Sequence, residues 1–405
     1  MKVMMFLEHK FYVDKKNKIF CEKVINDEIL ERYTSVFGNV TICVRLLDEK
    51  PQSAILITNP NITIFPLPNI NFKKIFNCYP KLIKSIKTEA NKFDGFIIRS
   101  PSMISFIAYN AVKKIHKPIM TELVINPKHF FMDEENVFIL KKCIFNLLRR
   151  IVVNHTKKMC KSVNAVLYVT KESLQNDYKS RSLLKGETNE YFSVACSDVI
   201  LKPENYNSIP TVHNFSEPFV ICHIGWMMGL NKGHKTVIEI INKLKKEFKN
   251  CKAIFIGDGP MKTQFEQYAI SLGLKDEVLF LGKINSSDEI QKILITSHLF
   301  LFPSVNEGLP RVLLEAMSNS LPCVAYNTDG IPELLENKYM ADIGDEDGLL
   351  RIIENLYSNE KERIEYGKRC YEKSLEYSSE KLNQIRSLFY QKFYELIDTW
   401  NKKGI

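Results

Sequence analysis

The chain has 405 residues, of which 45% are hydrophobic, and it carries a formal net charge of +9. This length exceeds what one hydrophobic core usually covers, and this composition excludes extensive disorder, so we expect two domains. The ten cysteines lack the paired spacing of zinc or redox sites. Glu8 interrupts the first apolar run too early for a signal peptide, and no run approaches the roughly 20 residues of a spanning helix. We therefore expect a cytoplasmic protein.

Short β-branched runs alternate with longer amphipathic segments, which is typical of βα units on a parallel sheet. The alternation occurs once in each half of the chain. Strands are predicted in the first half at 3–7, 40–44, 95–98, 119–124 and 165–169, and in the second half at 219–224, 253–256, 278–281, 299–302 and 323–325. Amphipathic segments are predicted as helices at 102–114, 235–248, 261–272 and 380–400.

The region 201–217 separates the two halves, because Pro203 and Pro210 stand there among polar residues and Pro218 follows. We therefore expect an N-terminal domain at 1–210 and a C-terminal domain at 211–380. The final helical segment, about 380–400, has no strand after it and would pack back on the first domain. Ligands of doubly wound sheets bind beyond the carboxyl ends of the strands, so the informative residues should follow strands.

Two basic segments lie in the first half. The stretch 141–161 contains seven Lys and Arg residues and no acid, and 73–87 is also free of acids. In 73–87, apolar residues recur at helical spacing beside the lysines, which suits either an anionic membrane surface or a solvated face over an ordinary core contact. Nucleic acid is not an expected partner, because the patches lack interleaved aromatic residues and no recognition motif is present.

The segment 302–317 carries the clearest chemistry. Pro310 marks the start of a helix, which leaves Glu307 in the preceding loop, and Glu315 follows eight residues later. The backbone amides of Gly308 and Leu309 at this start would attract an anion such as a diphosphate. The two glutamates would then accept hydrogen bonds from hydroxyl groups beside it. Alternatively, Glu307 complements the helix dipole and Glu315 is merely solvated.

This segment resembles the signature of the family 4 retaining glycosyltransferases, which has two glutamates at this spacing. The resemblance extends from 219 to about 335, through short strings that follow successive predicted strands: Gly225 with Lys232-Gly233, Gly257-Asp258-Gly259-Pro260, Leu281-Gly282-Lys283 and Gly330-Ile331-Pro332-Glu333. It implies an α/β protein of the GT-B fold, with two doubly wound Rossmann-like domains facing a cleft. It also implies retaining transfer from a nucleotide-diphosphate sugar, with no metal or other cofactor.

The resemblance assigns roles to individual residues. Lys232, with the amides of Gly308 and Leu309, would hold the donor diphosphate. Glu307 would contact the transferred sugar, which makes Lys232 and Glu307 the candidate catalytic residues, and Glu315 would contact the ribose. The remaining donor-binding candidates are Gly225, Trp226, Gly257, Gly259, Gly282 and Lys283, of which the last two would face the base. Glycines such as Gly257 also suit an ordinary tight turn.

The sequence departs from the family pattern at the diphosphate site. Trp226 stands where an Arg commonly follows the glycine, and Asp329 and Ser320 replace usual glycines. Either another cation, such as Lys283 or Arg311, compensates, or the chain is a catalytically impaired binder of sugar nucleotides or glycans. A paired-carboxylate glycosidase fits less well, because both glutamates come from one loop and helix. An epimerase of the same two-domain fold also fits less well, because the glutamate pair suits transfer better.

The first half is less informative. Arg99 and Ser100 directly follow a predicted strand, so they are weak candidates for contacting the acceptor, and His9 and His129 are isolated histidines. The expected acceptor is a saccharide or lipid-linked saccharide in the biosynthesis of a surface polysaccharide such as a capsule, O-antigen or exopolysaccharide. Peripheral association with the inner face of the cell membrane would follow from the basic segments.

Overall fold

The computed structural model describes residues 1–22, 25–51, 54–68, 72–130, 139–209, 218–247 and 250–403. Within these ranges, the side chains of 72–77, 139–141 and Glu247 are not described, and part of the expected linker, 210–217, also lies outside them. The chain divides into two compact units. The first unit comprises Met1–Lys128, Asn146–Cys196 and Asn383–Ile405, and the second comprises His129–Phe145 and Ser197–Leu382.

The first unit is built on a mainly parallel sheet. Its strands are β1 (Val3–Val13), β2 (Ile19–Cys21), β3 (Val40–Leu47), β4 (Ile55–Leu56), β5 (Ile62–Leu67), β6 (Gly95–Ser100), β7 (Ile119–Leu123), β8 (Ala165–Tyr168) and β9 (Phe192–Ala195). The parallel strands run in the order β5-β3-β1-β6-β7-β8-β9. The far end of β1 also pairs with β2, and β2 with β4, in antiparallel fashion.

The second unit has a sheet in which the paired strands are all parallel. Its strands are β10 (Phe219–Ile224), β11 (Cys251–Ile256), β12 (Val278–Gly282), β13 (Leu299–Phe302), β14 (Cys323–Tyr326) and β15 (Met340–Ala341), in the order β12-β11-β10-β13-β14-β15. All residues of β13 and β14 are buried, as expected for strands covered on both faces. The strand order reverses between β10 and β13, which is the topological switch point of a doubly wound sheet.

Helices connect the strands and cover the sheets. They are α1 (Asp27–Phe37), α2 (Phe72–Ala90), α3 (Met103–Val112), α4 (Ile139–Ser162), α5 (Ser173–Asp177), α6 (Arg181–Lys185), α7 (His234–Glu247), α8 (Lys262–Ser271), α9 (Ser287–Ile295), α10 (Arg311–Met317), α11 (Glu346–Ser358), α12 (Glu360–Ser374) and α13 (Ser379–Lys402). Among the described residues, none of the helices has the length and apolar character needed to cross a bilayer. The α/β architecture inferred from the alternating pattern is therefore confirmed.

Helix α2 packs its apolar face into the protein. Leu82 and Ile86 are buried, and α2 lies against α3, where Asn110 donates a hydrogen bond to the Tyr79 hydroxyl at 3.0 Å. The core-contact interpretation therefore holds for Leu82 and Ile86. The three lysines in the described part of this helix remain exposed: Lys81, Lys84 and Lys87. The side chains of Lys73, Lys74 and Ile75, which belong to the same prediction, lie outside the described residues.

Helix α13 packs on the first unit through a buried carboxylate. Tyr390 stacks on Tyr33 with 5.2 Å between ring centroids, and both hydroxyls donate to Glu122 on β7, at 2.5 and 2.8 Å. The Arg99 guanidinium lies 3.4 Å from the same carboxylate. A buried carboxylate is tolerated only when hydrogen bonds and charges satisfy it, so Glu122 depends on these partners.

We predict that Tyr390→Phe lowers the free energy of unfolding by about 1 to 3 kcal/mol, because it removes one donor from a buried carboxylate. Denaturant unfolding of both proteins measures this difference. The matched control is Tyr394→Phe, which removes a hydroxyl from a half-buried tyrosine on the same helix. Equal stability of the Tyr390→Phe variant and the wild type would contradict the structural role of this contact.

Candidate active site

The site lies at the switch point of the second sheet. Strands β10 and β13 are adjacent and parallel, so their carboxyl ends meet at one edge. The loop 225–233 follows β10 and leads into α7, whereas the loop 303–310 follows β13 and leads into α10. Ligands of doubly wound sheets bind at this position. The topology therefore brings together the two loops that carry Lys232 and Glu307.

Lys232 and Glu307 form an ion pair. The ammonium Nζ lies 2.6 Å from Oε1 of the carboxylate, and the side chains are 27% and 10% exposed. Ser304 donates its hydroxyl to the same oxygen at 2.6 Å. The backbone N–H of Val305 donates to the carbonyl of Asn231 at 2.9 Å, which joins the two loops. Glu307 is thus held by a cation and a hydroxyl group in a partly desolvated place.

Asp329 fixes Glu307 from the other side. Its Oδ2 accepts the backbone N–H of Glu307 at 2.9 Å, and its Oδ1 lies 3.1 Å from Nε2 of His129. The Asp329 backbone has φ +47°, a left-handed conformation that Asp tolerates better than most residues. In the sequence, Asp329 was notable only because it stands where the family resemblance implies a glycine. The structure shows that this residue, Ser304 and His129 belong to the surroundings of Glu307.

The glycines of these loops allow close packing of backbone on backbone. A Cβ on Gly257, which has φ +143°, would lie 1.9 Å from the carbonyl oxygen of Gly225. A Cβ on Gly233, which has φ +78°, would lie 2.3 Å from the Pro303 carbonyl oxygen. Gly259 also has positive φ, and a Cβ there would lie 2.4 Å from the Met227 carbonyl oxygen. The loops therefore require these glycines, and close approach of a donor to them stays a prediction.

Two buried histidines lie beneath Gly225. The rings of His223 and His234 are 4.5 Å apart, and Nδ1 of His223 lies 2.8 Å from the Leu301 carbonyl oxygen. Burial lowers the pKa of His234 to about 4, with Lys232 adding to the effect and the Gly225 backbone opposing it. Burial also lowers the pKa of His223, with His234 and Lys232 contributing. Both rings are therefore neutral at neutral pH. Sequence analysis did not identify this pair.

Trp226 projects from the β10 loop into solvent. It is 51% exposed and Met228 is 62% exposed, whereas Met227 between them is fully buried. Met227 donates its backbone N–H to the Asp258 carbonyl at 2.8 Å, which fixes the loop. Trp226 therefore presents an apolar surface at the position where the resemblance implies an Arg. The cations considered as substitutes, Lys283 and Arg311, are both exposed.

Helix α10 begins at Arg311, with Pro310 at the N-cap, so the helix starts one residue later than the sequence indicated. Gly308 and Leu309 are buried in the loop just before it, and the Gly308 carbonyl accepts the Gly330 N–H at 3.0 Å. Glu315 lies on α10 and is partly exposed. Burial raises the pKa of Glu315, and nearby Arg311 partly opposes this shift.

The remaining predicted site residues lie at the carboxyl ends of strands or directly after them. Gly282 ends β12, has φ +72° and accepts the Gly257 N–H, and Lys283 follows it. In the first unit, Arg99 and Ser100 end β6. Arg99 pairs with Glu122, and Ser100 is 1% exposed. Contact with an acceptor stays a prediction for both.

A separate cleft of about 570 Å³ lies beside β15, α11 and α12. Its lining includes Lys338, Arg351, Asn355 and Glu362. It is not at the switch point, so the fold does not favour it as the site of a nucleotide. Within the part of the chain that the structure describes, no three His, Cys, Asp or Glu side chains are grouped to hold a metal ion.

Comparison with known proteins identifies the family that the second unit resembles and the fold of the chain. Residues 208–373 match the family described as "Glycosyl transferases group 1". The Staphylococcus aureus protein CapJ is 26% identical over 343 residues, which cover 82% of this chain and 81% of CapJ. Among solved structures, Anabaena HepE in complex with UDP aligns with TM-score 0.62 and 17% identity over 95% of this chain and 98% of HepE. The apo form of the lipopolysaccharide outer core galactosyltransferase WaaB aligns with TM-score 0.61 and 15% identity over 98% and 99%.

These matches define the class of protein as a glycosyltransferase of the GT-B fold, with two Rossmann-like units. Residues 208–373, in the second unit, match the glycosyl transferases group 1 family. The resemblance based on Glu307, Glu315 and the glycine-containing strings is therefore confirmed at the level of family and fold.

We predict that Glu315→Gln raises the melting temperature at neutral pH. Because the folded-state pKa of Glu315 is raised, protonation of this group favours folding below its ordinary value of 4.5, and this contribution is lost as the pH rises through the folded pKa. The neutral amide avoids the cost of a partly desolvated charge. The gain should therefore shrink as the pH falls through the folded pKa and be absent below about pH 4.5. Glu372→Gln, at an exposed position of α12, is the control, and an equal gain in both variants would contradict this cause.

Proposed function

We propose that this protein is a retaining, metal-independent glycosyltransferase that moves a sugar from a nucleotide-diphosphate sugar to a saccharide or lipid-linked saccharide. The observation that carries the proposal is the Lys232–Glu307 pair, which lies at the switch point of a parallel sheet, within the residues that match the group 1 family. A cation and a carboxylate placed side by side suit a donor that joins an anionic diphosphate to a hydroxyl-rich sugar.

The diphosphate would bind Lys232 and the backbone amides of Gly308 and Leu309. An ammonium group has three N–H donors, and here it contacts Glu307 Oε1 and, at 3.5 Å, the carbonyl of Asn306. Diphosphate oxygens are stronger acceptors than a backbone carbonyl, so they would replace the long contact and leave the ion pair in place. Lys232 would then neutralise the leaving group without moving away from Glu307.

Glu307 would bind hydroxyl groups of the transferred sugar. Lys232 and Ser304 both contact its Oε1, so Oε2 is the oxygen that would accept from the sugar. Glu315 would accept from the ribose, and the backbone at Gly282 and Lys283 would face the base. UDP is the first probe to test, because the structurally similar Anabaena HepE was solved with UDP.

During transfer, the bond between the anomeric carbon and the diphosphate oxygen breaks, and the acceptor oxygen bonds to the same face of that carbon. The proton of the acceptor hydroxyl passes to the departing diphosphate, so no protein side chain has to act as the base. Lys232 and the amides of Gly308 and Leu309 stabilise the charge that develops on the leaving group, which is commonly the largest contribution to such catalysis. This chemistry requires no metal ion.

The proposed acceptor class is a saccharide or lipid-linked saccharide of a surface polysaccharide, used on the cytoplasmic side of the cell membrane. Structural similarity to WaaB, a lipopolysaccharide outer core galactosyltransferase, supports this class. The acid-free basic helix α4 supports peripheral association with an anionic membrane. Thermal stabilisation by a panel of nucleotide sugars would identify the donor, because a ligand that binds only the native state raises its stability.

A second candidate function rests on Trp226. Because this exposed indole stands where relatives carry a cation, the chain could bind sugar nucleotides or glycans without transferring the sugar. Such a binder would show saturable donor binding and no turnover in the presence of acceptor. Lys232, Glu307 and Glu315 are all retained, which favours the active enzyme.

We predict that Lys232→Ala lowers kcat/KM for sugar transfer by about tenfold to a hundredfold, the range expected for one charge-assisted contact. Lys232→Arg should recover part of the loss, because it restores a cation. The control is Lys235→Ala, which removes an exposed lysine at the start of the adjacent helix α7. Thermal melting checks the fold, and full activity of a folded Lys232→Ala variant would remove this residue from the site.

We predict that Trp226→Arg strengthens UDP binding by about fivefold or more, since a cation is added beside the diphosphate site. Calorimetry measures UDP binding by Trp226→Arg and by Trp226→Gln. The second variant shows the effect of losing the indole without adding a charge. The wild type should already turn over with donor and acceptor. Turnover that appears only in the Trp226→Arg protein would instead support the binder.

A further inference from the structure

Strands β10 and β13 separate at their carboxyl ends. Their last backbone pair joins Cys222 to Phe300, whereas β10 stays paired with β11 as far as Ile224. The two loops of the candidate active site begin just beyond this separation. A crevice of this kind at the switch point is where doubly wound sheets hold their ligands.

The side chain of His223 spans the separation. Its Nδ1 lies 2.8 Å from the carbonyl oxygen of Leu301, which is the residue that the next pair of the ladder would place opposite His223. A carbonyl oxygen only accepts hydrogen bonds, so Nδ1 carries the proton and is the donor. The imidazole therefore continues the connection between the two strands by one more step.

His223 is fully buried among aromatic rings. The ring centroids of Phe255 and Phe302 lie 5.5 and 6.0 Å from its own, and within the described part of the chain its Nε2 has no hydrogen-bond partner. A phenylalanine would fill such a place without burying an unsatisfied nitrogen, which costs free energy. The surroundings thus make use of one feature of histidine, the bond from Nδ1 to Leu301.

Both ends of this bond are close to the ion pair of the candidate active site. The loop 225–233 starts two residues after His223, and the loop 303–310 starts two residues after Leu301. Burial lowers the pKa of His223, and the ammonium group of Lys232 adds to this shift, so the two groups lie within electrostatic range. Loss of the bond between the strands would therefore alter how the two loops meet.

We propose that His223 is a positioning residue for the candidate active site: its Nδ1–H group holds β10 and β13 at the separation in which Lys232 meets Glu307. A donor would then find the cation and the carboxylate already paired, which lowers the cost of ordering the site when it binds. This consequence for the donor rests on the proposed function. The bond between the strands does not, so the two can be tested apart.

The neighbouring His234 supplies a matched comparison. It is fully buried, and its ring centroid lies 4.5 Å from that of His223. The Gly225 backbone acts on this ring electrostatically, but neither of its nitrogens has a hydrogen-bond partner of good geometry among the described residues. Substitutions at the two positions therefore separate the burial of a histidine from the hydrogen bond made by Nδ1.

The first test measures UDP binding by calorimetry for His223→Asn and His223→Gln. The amide nitrogen of Asn can take the place of Nδ1, whereas the amide nitrogen of Gln reaches the place of Nε2. Gln is closer to His in volume, so packing alone would favour the Gln variant. The comparison is repeated with His234→Asn and His234→Gln, and thermal melting shows whether each variant is folded.

We expect His223→Asn to bind UDP about threefold to tenfold more tightly than His223→Gln, the range that one hydrogen bond is worth. At position 234, Asn should be no better than Gln. In a Lys232→Ala background, the difference at position 223 should fall below about twofold, because the ring acts through the loop that carries Lys232. Equal binding by the two His223 variants, an advantage for Gln, or an undiminished difference in the Lys232→Ala background would overturn the proposal.

A second test uses the wild type alone and does not depend on a bound nucleotide. Long-range proton–nitrogen NMR spectra of the protein with labelled histidines show which ring nitrogen carries the proton. The account predicts that His223 is neutral at neutral pH, with its proton on Nδ1. A proton on Nε2, or a charged ring, would overturn the proposal. A proton on Nδ1 in a wild type that binds neither UDP nor GDP would refute the donor site and leave the bond between the strands standing.

Discussion

The ion pair between Lys232 and Glu307 is the interaction on which the site depends. Each side chain comes from a different loop, and the loops meet only because β10 and β13 are neighbours at the switch point of the sheet. A partly buried carboxylate that lost its cation would carry a desolvation cost with little compensation. The arrangement therefore couples the fold to the site, since separating the strands would separate the charges.

Changes from the family pattern alter the charge around this pair. The resemblance implies an Arg at position 226 and a glycine at position 329, whereas this chain has Trp226 and Asp329. The carboxylate of Asp329 is satisfied by the Glu307 N–H and by His129, so its main effect is to hold the loop that carries Glu307. The neutral histidines His223 and His234 add no positive charge beneath the loop. In the proposed mechanism, Lys232 thus carries more of the diphosphate charge than its counterpart in a relative with Arg at position 226.

The local sequence pattern predicted the strands that are buried on both faces of a sheet, because such a strand is a continuous apolar run. It missed β2, β4 and β15, which have only two or three residues, β5, which contains Pro66, and the short β9. The family resemblance identified Glu307 and Glu315 as candidate site residues. It could not supply the contact of Asp329 with Glu307, because a hydrogen bond across 22 residues depends on how two loops pack.

The two basic helices also show that sequence alone does not determine how a helix packs. Both α2 and α4 combine apolar residues with lysines at helical spacing, so periodicity alone did not distinguish a core contact from an exposed surface. Packing against α3 decides the matter, since α2 buries Leu82 and Ile86 while α4 leaves Leu147 exposed. Sequence predicts that such a helix has an apolar face, but only tertiary structure determines what that face meets.

A crystal structure of the protein with UDP would test the central claim most directly. The account predicts that the diphosphate lies within hydrogen-bonding distance of Lys232 Nζ and the loop amides of Gly308 and Leu309, with Glu307 still beside Lys232. A diphosphate bound elsewhere, for example in the cleft lined by Lys338 and Arg351, would contradict it.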